Sequence, residues 1–246
     1  MTANKKSTIV FVTFVVLALA ITSCLGGKVE KSGIDSEALS SASRTPIQLE
    51  GTEVREYKGI RLDSAASSFR ENSIKGPQDI DISAYALKLS GLVEKPLSLS
   101  YDEILNMTHY EKVVTLYCVE GWNATVLWEG VLVSDLLERA GVSPEATNLI
   151  FKAVDGYETS LDRATIYDKK IIMAFKINGV VLPKELGFSF ILVAEDRWGY
   201  KWCRWINEIT LSSENDYKGY WESRGYSISG SFNDATREDF SSPDMR

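Results

Sequence analysis

A chain of 246 residues that is 44% hydrophobic and 25% charged can bury a sizeable core, and it lacks the bias of a disordered or fibrous protein. A formal net charge of −7, with Lys and Arg scattered, excludes a phosphate-neutralising surface and with it nucleic-acid binding. The single histidine, His109, excludes the multi-histidine centres of catalytic zinc and non-haem iron, and its place after Asn106-Met-Thr reads as a solvated turn.

At the start of the chain, Lys5-Lys6 precede an apolar run from Ser7 to Ala20, and Ile21-Thr-Ser-Cys24 has the small-residue pattern of a lipoprotein cleavage box. Residues 1–24 therefore read as a lipoprotein signal peptide, with Cys24 the lipidated residue at the mature N-terminus. An uncleaved signal anchor is the other reading, but the apolar run falls short of the roughly 20 residues that span a bilayer. Either reading puts the body of the protein outside the cytoplasm, attached to a membrane. Residues 25–83 are rich in Gly, Ser and charge and read as a flexible tether, with one short strand at Thr52–Tyr57.

The folded domain is expected over residues 84–232. Tyr85–Gly91 alternates like a strand and Pro96–Ser100 is a second extended piece. Ser100 and Glu103 form a capping box for a short helix. A second helix is read from Gly130 to Ala140, with Ser134 as N-cap and Gly141 as the stop. Strands follow at Asn148–Val154 and Tyr157–Leu161, then a helical turn at Asp162–Tyr167 and a strand at Ile171–Ile177. Asn178-Gly179 is a hairpin turn into Val180–Leu182. Phe188–Ala194 and Trp202–Leu211 read as buried strands, and residues 233–246 as a polar C-terminal tail. The sum is an α+β domain, mostly β, with short helices.

Chemistry concentrates at Val113-Val-Thr-Leu-Tyr-Cys118-Val-Glu-Gly-Trp122, where a β-branched, apolar run delivers a thiol to the end of a strand. With Cys24 lipidated, Cys118 and Cys203 remain. Cys118 is then a soft-metal ligand, half of a disulfide to Cys203, or an inert thiol. Glu120 has the strand parity of Cys118 and so either shares its pocket or is a solvent-facing turn carboxylate. Gly199-Tyr200-Lys201, with Arg197 beside it, offers amide donors and positive charge for an anion, or is a loop between two strands. Tyr157, after Asp155-Gly156, is a pocket-lining or rim residue.

Taken in order, these segments resemble the molybdopterin-binding oxidoreductases of the sulfite oxidase class, which include a periplasmic methionine-sulfoxide reductase. The resemblance rests on Cys118-Val-Glu-Gly-Trp122, Trp128-Glu-Gly130 with Asp135-Leu-Leu137, Asp155-Gly-Tyr157 with Ser160-Leu161, and Asn178-Gly-Val-Val-Leu-Pro183. Gly199-Tyr-Lys201 with Trp205-Ile206, Gly219-Tyr-Trp-Glu222 and Gly225-Tyr226 complete it. It implies the mostly β sulfite-oxidase-type fold and a molybdenum held by one pterin dithiolene and by Cys118. It further implies that Glu120 is a proton donor or hydrogen-bond partner of a metal-bound oxygen, that Tyr157 lines the substrate pocket, and that Gly199, Tyr200, Lys201 and Arg197 hold the pterin phosphate.

The implied reaction is oxygen-atom transfer on a small oxo-substrate, a sulfoxide or sulfite. Because the chain has no haem motif or iron–sulfur cysteine set, a separate electron-transfer partner such as a membrane haem protein is also implied. Three departures stand against the pattern. Leu186 and Ile191 occupy the places of an asparagine and an arginine that hold the pterin in relatives, Leu116 and Tyr117 stand where a basic residue is common, and no Asn-rich stretch is recognised near the N-terminus. A cofactor-free, lipid-anchored binding or scaffold module with the same fold is the alternative these departures support.

Overall fold

Two five-stranded sheets carry the architecture of the computed structural model, which describes residues 47–232. The expected lipidation site Cys24, the expected signal segment 1–24 and the expected tail 233–246 lie outside the described residues. In chain order the elements are β1 (Glu56–Tyr57), β2 (Ile60–Arg61), α1 (Ala65–Ser68), β3 (Leu87–Gly91), β4 (Leu97–Leu99), α2 (Tyr101–Leu105), β5 (Tyr110–Tyr117) and β6 (Asn123–Leu132). They continue with α3 (Val133–Ala140), β7 (Asn148–Ala153), β8 (Glu158–Asp162), α4 (Arg163–Asp168), β9 (Ile172–Ile177), β10 (Val180–Val181), β11 (Ile191–Val193) and β12 (Ile206–Ser212). No helix among the described residues is long and apolar enough to cross a membrane.

One sheet runs β10-β9-β6-β5, with β11 also paired to β9, and the other runs β4-β3-β12-β7-β8. All pairings are antiparallel except β12 with β3. Strands β7 and β9 are near-continuous apolar runs with all but one residue buried, as expected for strands covered on both faces. Among the largest fully buried side chains are Trp128 of β6, Phe151 of β7 and Leu87 and Leu89 of β3, so the core draws on both sheets.

Local chemistry sets several boundaries. Ser100 accepts from the Glu103 amide while the Glu103 carboxylate accepts from the Ser100 amide, the capping box that starts α2. Asp162 caps α4 by accepting from the Thr165 amide, and Asn178-Gly179 turns β9 into β10. Gly141 ends α3 in the left-handed region at φ 67°.

Four expectations are corrected. Helix α3 begins at Val133, with Leu132 at the cap and no side-chain cap bond, so Ser134 is not the N-cap and Gly130 belongs to β6. The β6 strand of ten residues runs straight into the helix, which leaves no room for a polar cap. The two C-terminal apolar runs form strands only at Ile191–Val193 and Ile206–Ser212; their remaining residues are buried or half-buried and outside the ladders, apart from the isolated Ile191–Arg204 bridge.

The third correction concerns residues 47–83, expected as tether. Ile47, Leu62, Ala65 and Phe69 are buried in or against the core, and the expected strand at Thr52–Tyr57 is a two-residue pair, β1 with β2. The segment is tied down by polar bonds rather than by apolar mass. Val54 donates to the Asn178 carbonyl at 2.8 Å, Asp63 donates to the Thr125 carbonyl at 2.8 Å, and the Asn178 amide donates to Glu53 at 3.0 Å. Burial alone would raise the Glu53 carboxyl, but bonds from Ser64, Asn178 and the Ala65 amide, with Arg55 nearby, outweigh it and hold it below its ordinary value. The folded region therefore starts well before Ala84. Fourth, Cys118 and Cys203 are both free thiols, so the disulfide reading fails.

Candidate cofactor site

The β5–β6 hairpin closes on the turn Cys118–Trp122. The Cys118 amide donates to the Trp122 carbonyl at 2.9 Å and the Gly121 amide to the Cys118 carbonyl at 3.0 Å. The turn holds the Cys118 side chain at the strand end with 6% exposure. Burial pushes the thiol up to about 12, opposed by the Glu120 backbone amide and by the Arg204 and Arg70 guanidinium groups, while the Glu120 carboxylate adds to the rise. Without a cation at the sulfur this thiol is protonated and inert; a soft metal would supply the charge that ionises it.

The neighbours of that sulfur come from a stretch the sequence reading assigned to the tether. Phe69 stacks edge-on against Trp122 and Trp128, at 5.8 and 6.0 Å between ring centroids, and so pins Arg70, Glu71 and Asn72 beside the cysteine turn. The Asn72 amide nitrogen lies 3.7 Å from Cys118 Sγ, and its Oδ1 accepts from Arg204 Nη2 at 2.9 Å. Arg204 also donates to the Glu185 carbonyl at 3.1 Å, stands 3.7 Å from Glu71 and lies over the Trp205 ring at 5.0 Å. Burial lowers its guanidinium from the ordinary range and Glu71 opposes that; an arginine so placed keeps its charge.

Arg204 was not singled out from the sequence. The signal was the Arg-Trp pair within Lys201-Trp-Cys-Arg-Trp205, read as core strand; Arg204 instead pairs across an isolated bridge with Ile191. Phe69-Arg-Glu-Asn72 also carried a signal, an aromatic next to polar donors, hidden in a Ser-rich stretch.

Glu120 shares the Cys118 turn and is exposed, with its carboxylate accepting from Trp122 Nε1 at 3.1 Å. Its charge is felt at both Cys118 and Tyr226, and burial, the largest cause, raises the Tyr226 hydroxyl. Both readings of Glu120 therefore hold in part: it is solvated, and it stands beside the thiol.

The turn Gly199–Lys201 packs directly on the cysteine. A Cβ added at Gly199 would meet Leu116 Cδ2 at 3.3 Å, the Tyr117 carbonyl at 3.4 Å and Cys118 Cα at 3.5 Å, so the turn lies in close contact with the cysteine segment. Tyr117 and Trp198 form a parallel bridge alongside. Tyr157 donates its hydroxyl to the Tyr200 carbonyl, and burial pushes that hydroxyl well above its ordinary value. Tyr157, in the turn just before β8, thus braces the Gly199–Lys201 turn.

The structure places Lys201 and Arg197 away from the expected duty. Lys201 Nζ is fully buried, 2.6 Å from Glu222 Oε1 and 2.7 Å from the Ile228 carbonyl, and Thr159 Oγ1 donates to the same Glu222 oxygen at 2.7 Å. A buried ammonium needs a buried counter-charge, and Glu222 supplies it. Burial lowers the Lys201 amine and Glu222 opposes that. Arg197 turns toward α4, donating to Thr165 Oγ1 at 2.7 Å and to the Asp196 carbonyl at 3.2 Å. Leu186 and Ile191, at 2% and 3% exposure, are core.

Among the described residues no group of three or more His, Cys, Asp and Glu could hold a bare metal ion. A metal on Cys118 would have to bring its other ligands with it, which is the chemistry of a metal carried on an organic dithiolene. The site supplies one thiol, an amide and two guanidinium groups around that point, a donor set that fits such a group.

Comparison with known proteins agrees. The uncharacterized oxidoreductase YuiH of Bacillus subtilis (strain 168) is 32% identical over 61% of this chain and 76% of its own length. The protein-methionine-sulfoxide reductase catalytic subunit MsrP of Gluconobacter oxydans (strain 621H) is 26% identical over 52% of this chain and 46% of its own. The sulfane dehydrogenase SoxCD from Paracoccus pantotrophus matches in fold, with a TM-score of 0.60 at 21% identity over 78% of this chain and 56% of that one. Residues 74–221, more than half of the chain, match the oxidoreductase molybdopterin binding domain, and the chain belongs to that family.

Proposed function

We propose that this chain is a molybdopterin-dependent oxidoreductase acting by oxygen-atom transfer on a small oxo-substrate of the sulfoxide or sulfite type, with Cys118 as the protein's ligand to molybdenum. The observation that carries the reading is the convergence on one thiol of three separate segments: the Cys118–Trp122 turn, Phe69–Asn72, and Gly199–Arg204. When bound, the cofactor supplies the exchange of an oxygen atom and two electrons.

The chain's own residues orient and solvate that chemistry. Asn72 and Arg204 form a hydrogen-bonded pair against the sulfur, so the guanidinium charge is fixed where an anionic or strongly dipolar oxygen would sit. Glu120 holds a carboxylate next to the thiol and open to solvent, placed to carry a proton between water and the site. Tyr157 fixes the Gly199–Lys201 turn against Cys118.

Electrons reach the site from a separate partner. The relative MsrP is itself a catalytic subunit, and this chain's sequence shows no haem motif or iron–sulfur cysteine set. The membrane location rests on residues 1–24: Cys24 in its cleavage box makes the protein an extracytoplasmic lipoprotein. Replacing Cys24 by Ala is expected to move the protein from the membrane to the soluble fraction; retention in the membrane would favour an uncleaved anchor.

Metal analysis by mass spectrometry tests the main reading, on protein from a host that makes the cofactor. Wild type is expected to carry molybdenum near one equivalent and Cys118→Ser to lose most of it. Wild-type protein without molybdenum would support the cofactor-free binding module, which the burial of Leu186 and Ile191 favours. Full retention by the serine variant would remove Cys118 as ligand.

A further inference from the structure

Among the described residues, strand β5 ladders with β6 alone and so forms an edge of its sheet. Tyr117 lies opposite Asn123, and the next pair is a bonded one, the Cys118 amide donating to the Trp122 carbonyl at 2.9 Å. Bonded and non-bonded pairs alternate along an antiparallel ladder. Tyr110, Lys112, Val114 and Leu116 therefore direct their amides and carbonyls at β6, while Glu111, Val113, Thr115 and Tyr117 direct theirs away from it. Tyr117 is covered by its bridge with Trp198. The amides and carbonyls of Glu111, Val113 and Thr115 meet no backbone partner among the described residues.

The other sheet edges are short or covered. Strand β10 has two residues and β4 three, and the Glu158 carbonyl of β8 accepts from the Tyr220 amide at 2.8 Å. Strand β5 has eight, with the β-branched run Val113-Val-Thr115 near its centre and no Gly or Pro. Such an edge is a template for another strand, and an outward lysine is a common guard against it. Here Lys112 is turned aside, its ammonium bonded to Glu195, and to the Lys169 carbonyl at 2.7 Å. The Glu111 carboxylate accepts from the Tyr57 hydroxyl at 2.7 Å.

The strand's own residues decide what fits it. Two copies of β5 set antiparallel about Val113 place Glu111 opposite Thr115, Lys112 opposite Val114 and Val113 opposite itself, with no like charges facing. A shift of two residues one way sets Lys112 against Lys112. The same shift the other way calls on Tyr117, which Trp198 covers.

We propose that β5 is a self-pairing edge through which two copies of this chain join their β10-β9-β6-β5 sheets, on a two-fold axis at Val113. Backbone bonds form at the Val113 pair and at both Glu111–Thr115 pairs. The two Cys118 turns then lie toward opposite ends of the joined ladder, about 34 Å apart along it, so each copy keeps its own thiol site. The pairing is independent of whether a cofactor is bound.

Sedimentation velocity on the full chain in detergent micelles reads the oligomeric state, and a dimer that dissociates on dilution is expected. Amide exchange followed by NMR reads the edge. The Val113 and Thr115 amides are expected to be protected in the dimer and to exchange fast in the monomer, while those of Val114 and Leu116 stay protected in both. In Val113→Pro the lost amide faces outward, so the β5–β6 ladder keeps its bonds. Both copies lose a central bond, and the dimer dissociation constant is expected to rise about tenfold or more.

A monomer at every concentration overturns the proposal and leaves the edge to a strand of another protein. A dimer whose Val113 and Thr115 amides exchange freely overturns it as well, because the contact then lies elsewhere, as on the apolar run Ser7 to Ala20. So does a folded Val113→Pro that dimerises as wild type does. Should that variant fail to fold, the wild-type pattern of alternate amides decides alone.

Discussion

At the scale of single residues, the site depends on one thiol whose reactivity its surroundings suppress. A Cys118 thiol at about 12 rather than near 8.5 leaves roughly three orders of magnitude less thiolate at pH 8. Alkylation of native, metal-free protein by a maleimide at pH 8 is therefore expected to leave Cys118 and Cys203 unmodified for hours, with labelling only after denaturation. Raising the pH toward 11 should increase the Cys118 rate about tenfold per unit, the sign required of a group that reacts as its anion. Labelling of Cys118 in native protein at the rate of a free thiol would show that the sulfur is open and ionised. Cys118 was singled out in the sequence as a strand-end thiol with three readings, metal ligand, disulfide partner or inert thiol, and the free thiols remove the second. Arg204 and Asn72 were not, since nothing in one strand-like and one Ser-rich stretch says that they meet across 132 residues.

Among elements, the turn Gly199–Lys201 is held from two sides, by Tyr157 just before β8 and by the buried pair Lys201–Glu222. Truncating one partner of such a pair leaves the other as an unpaired buried charge, at a cost of about 3–5 kcal/mol. Lys201→Met is accordingly expected to lower the urea-unfolding free energy by about that amount. Adding Glu222→Leu should restore most of the loss, because the second change removes the orphaned carboxylate. Failure of the double variant to recover would mean that Thr159 and the Ile228 carbonyl, also bonded to this pair, matter more than the charge itself. The sequence read Gly199-Tyr-Lys201 as an anion-binding turn with the lysine's charge outward, whereas Lys201 is paired inside with Glu222. A motif gives the spacing of donors; whether a lysine points to ligand or to core depends on a partner 21 residues on.

At the scale of the whole molecule, the boundary of the fold is the main revision. Residues 47–83 lack the apolar density that marks a core element, and the chain docks instead through backbone and carboxylate bonds to β6 and the β9–β10 turn, with Leu62 and Phe69 as its few anchors. A chain cut to begin at Ala84 would lose those anchors and expose Trp128 and Val126 of β6. Burying a large apolar side chain is worth about 1.5–3 kcal/mol, so several lost contacts amount to most of a domain's stability. Such a truncation is expected to melt without a cooperative transition by circular dichroism, whereas one beginning at Arg44 should keep it. A cooperative melt of the shorter chain at an unchanged temperature would return 47–83 to the status of tether.

The sequence by itself determined the elements whose signals are local: the Ser100–Glu103 capping box, the Asn178-Gly179 hairpin, the Gly141 stop, and the strand that ends on Cys118. It also determined the family, because the ordered motifs survive in one dimension. Only the tertiary structure decided which groups surround the thiol, that the two thiols are unpaired, and that Lys201 is an interior charge. These depend on contacts between residues far apart in the chain, and side-chain burial is a property of what packs against a residue, which no local spacing encodes.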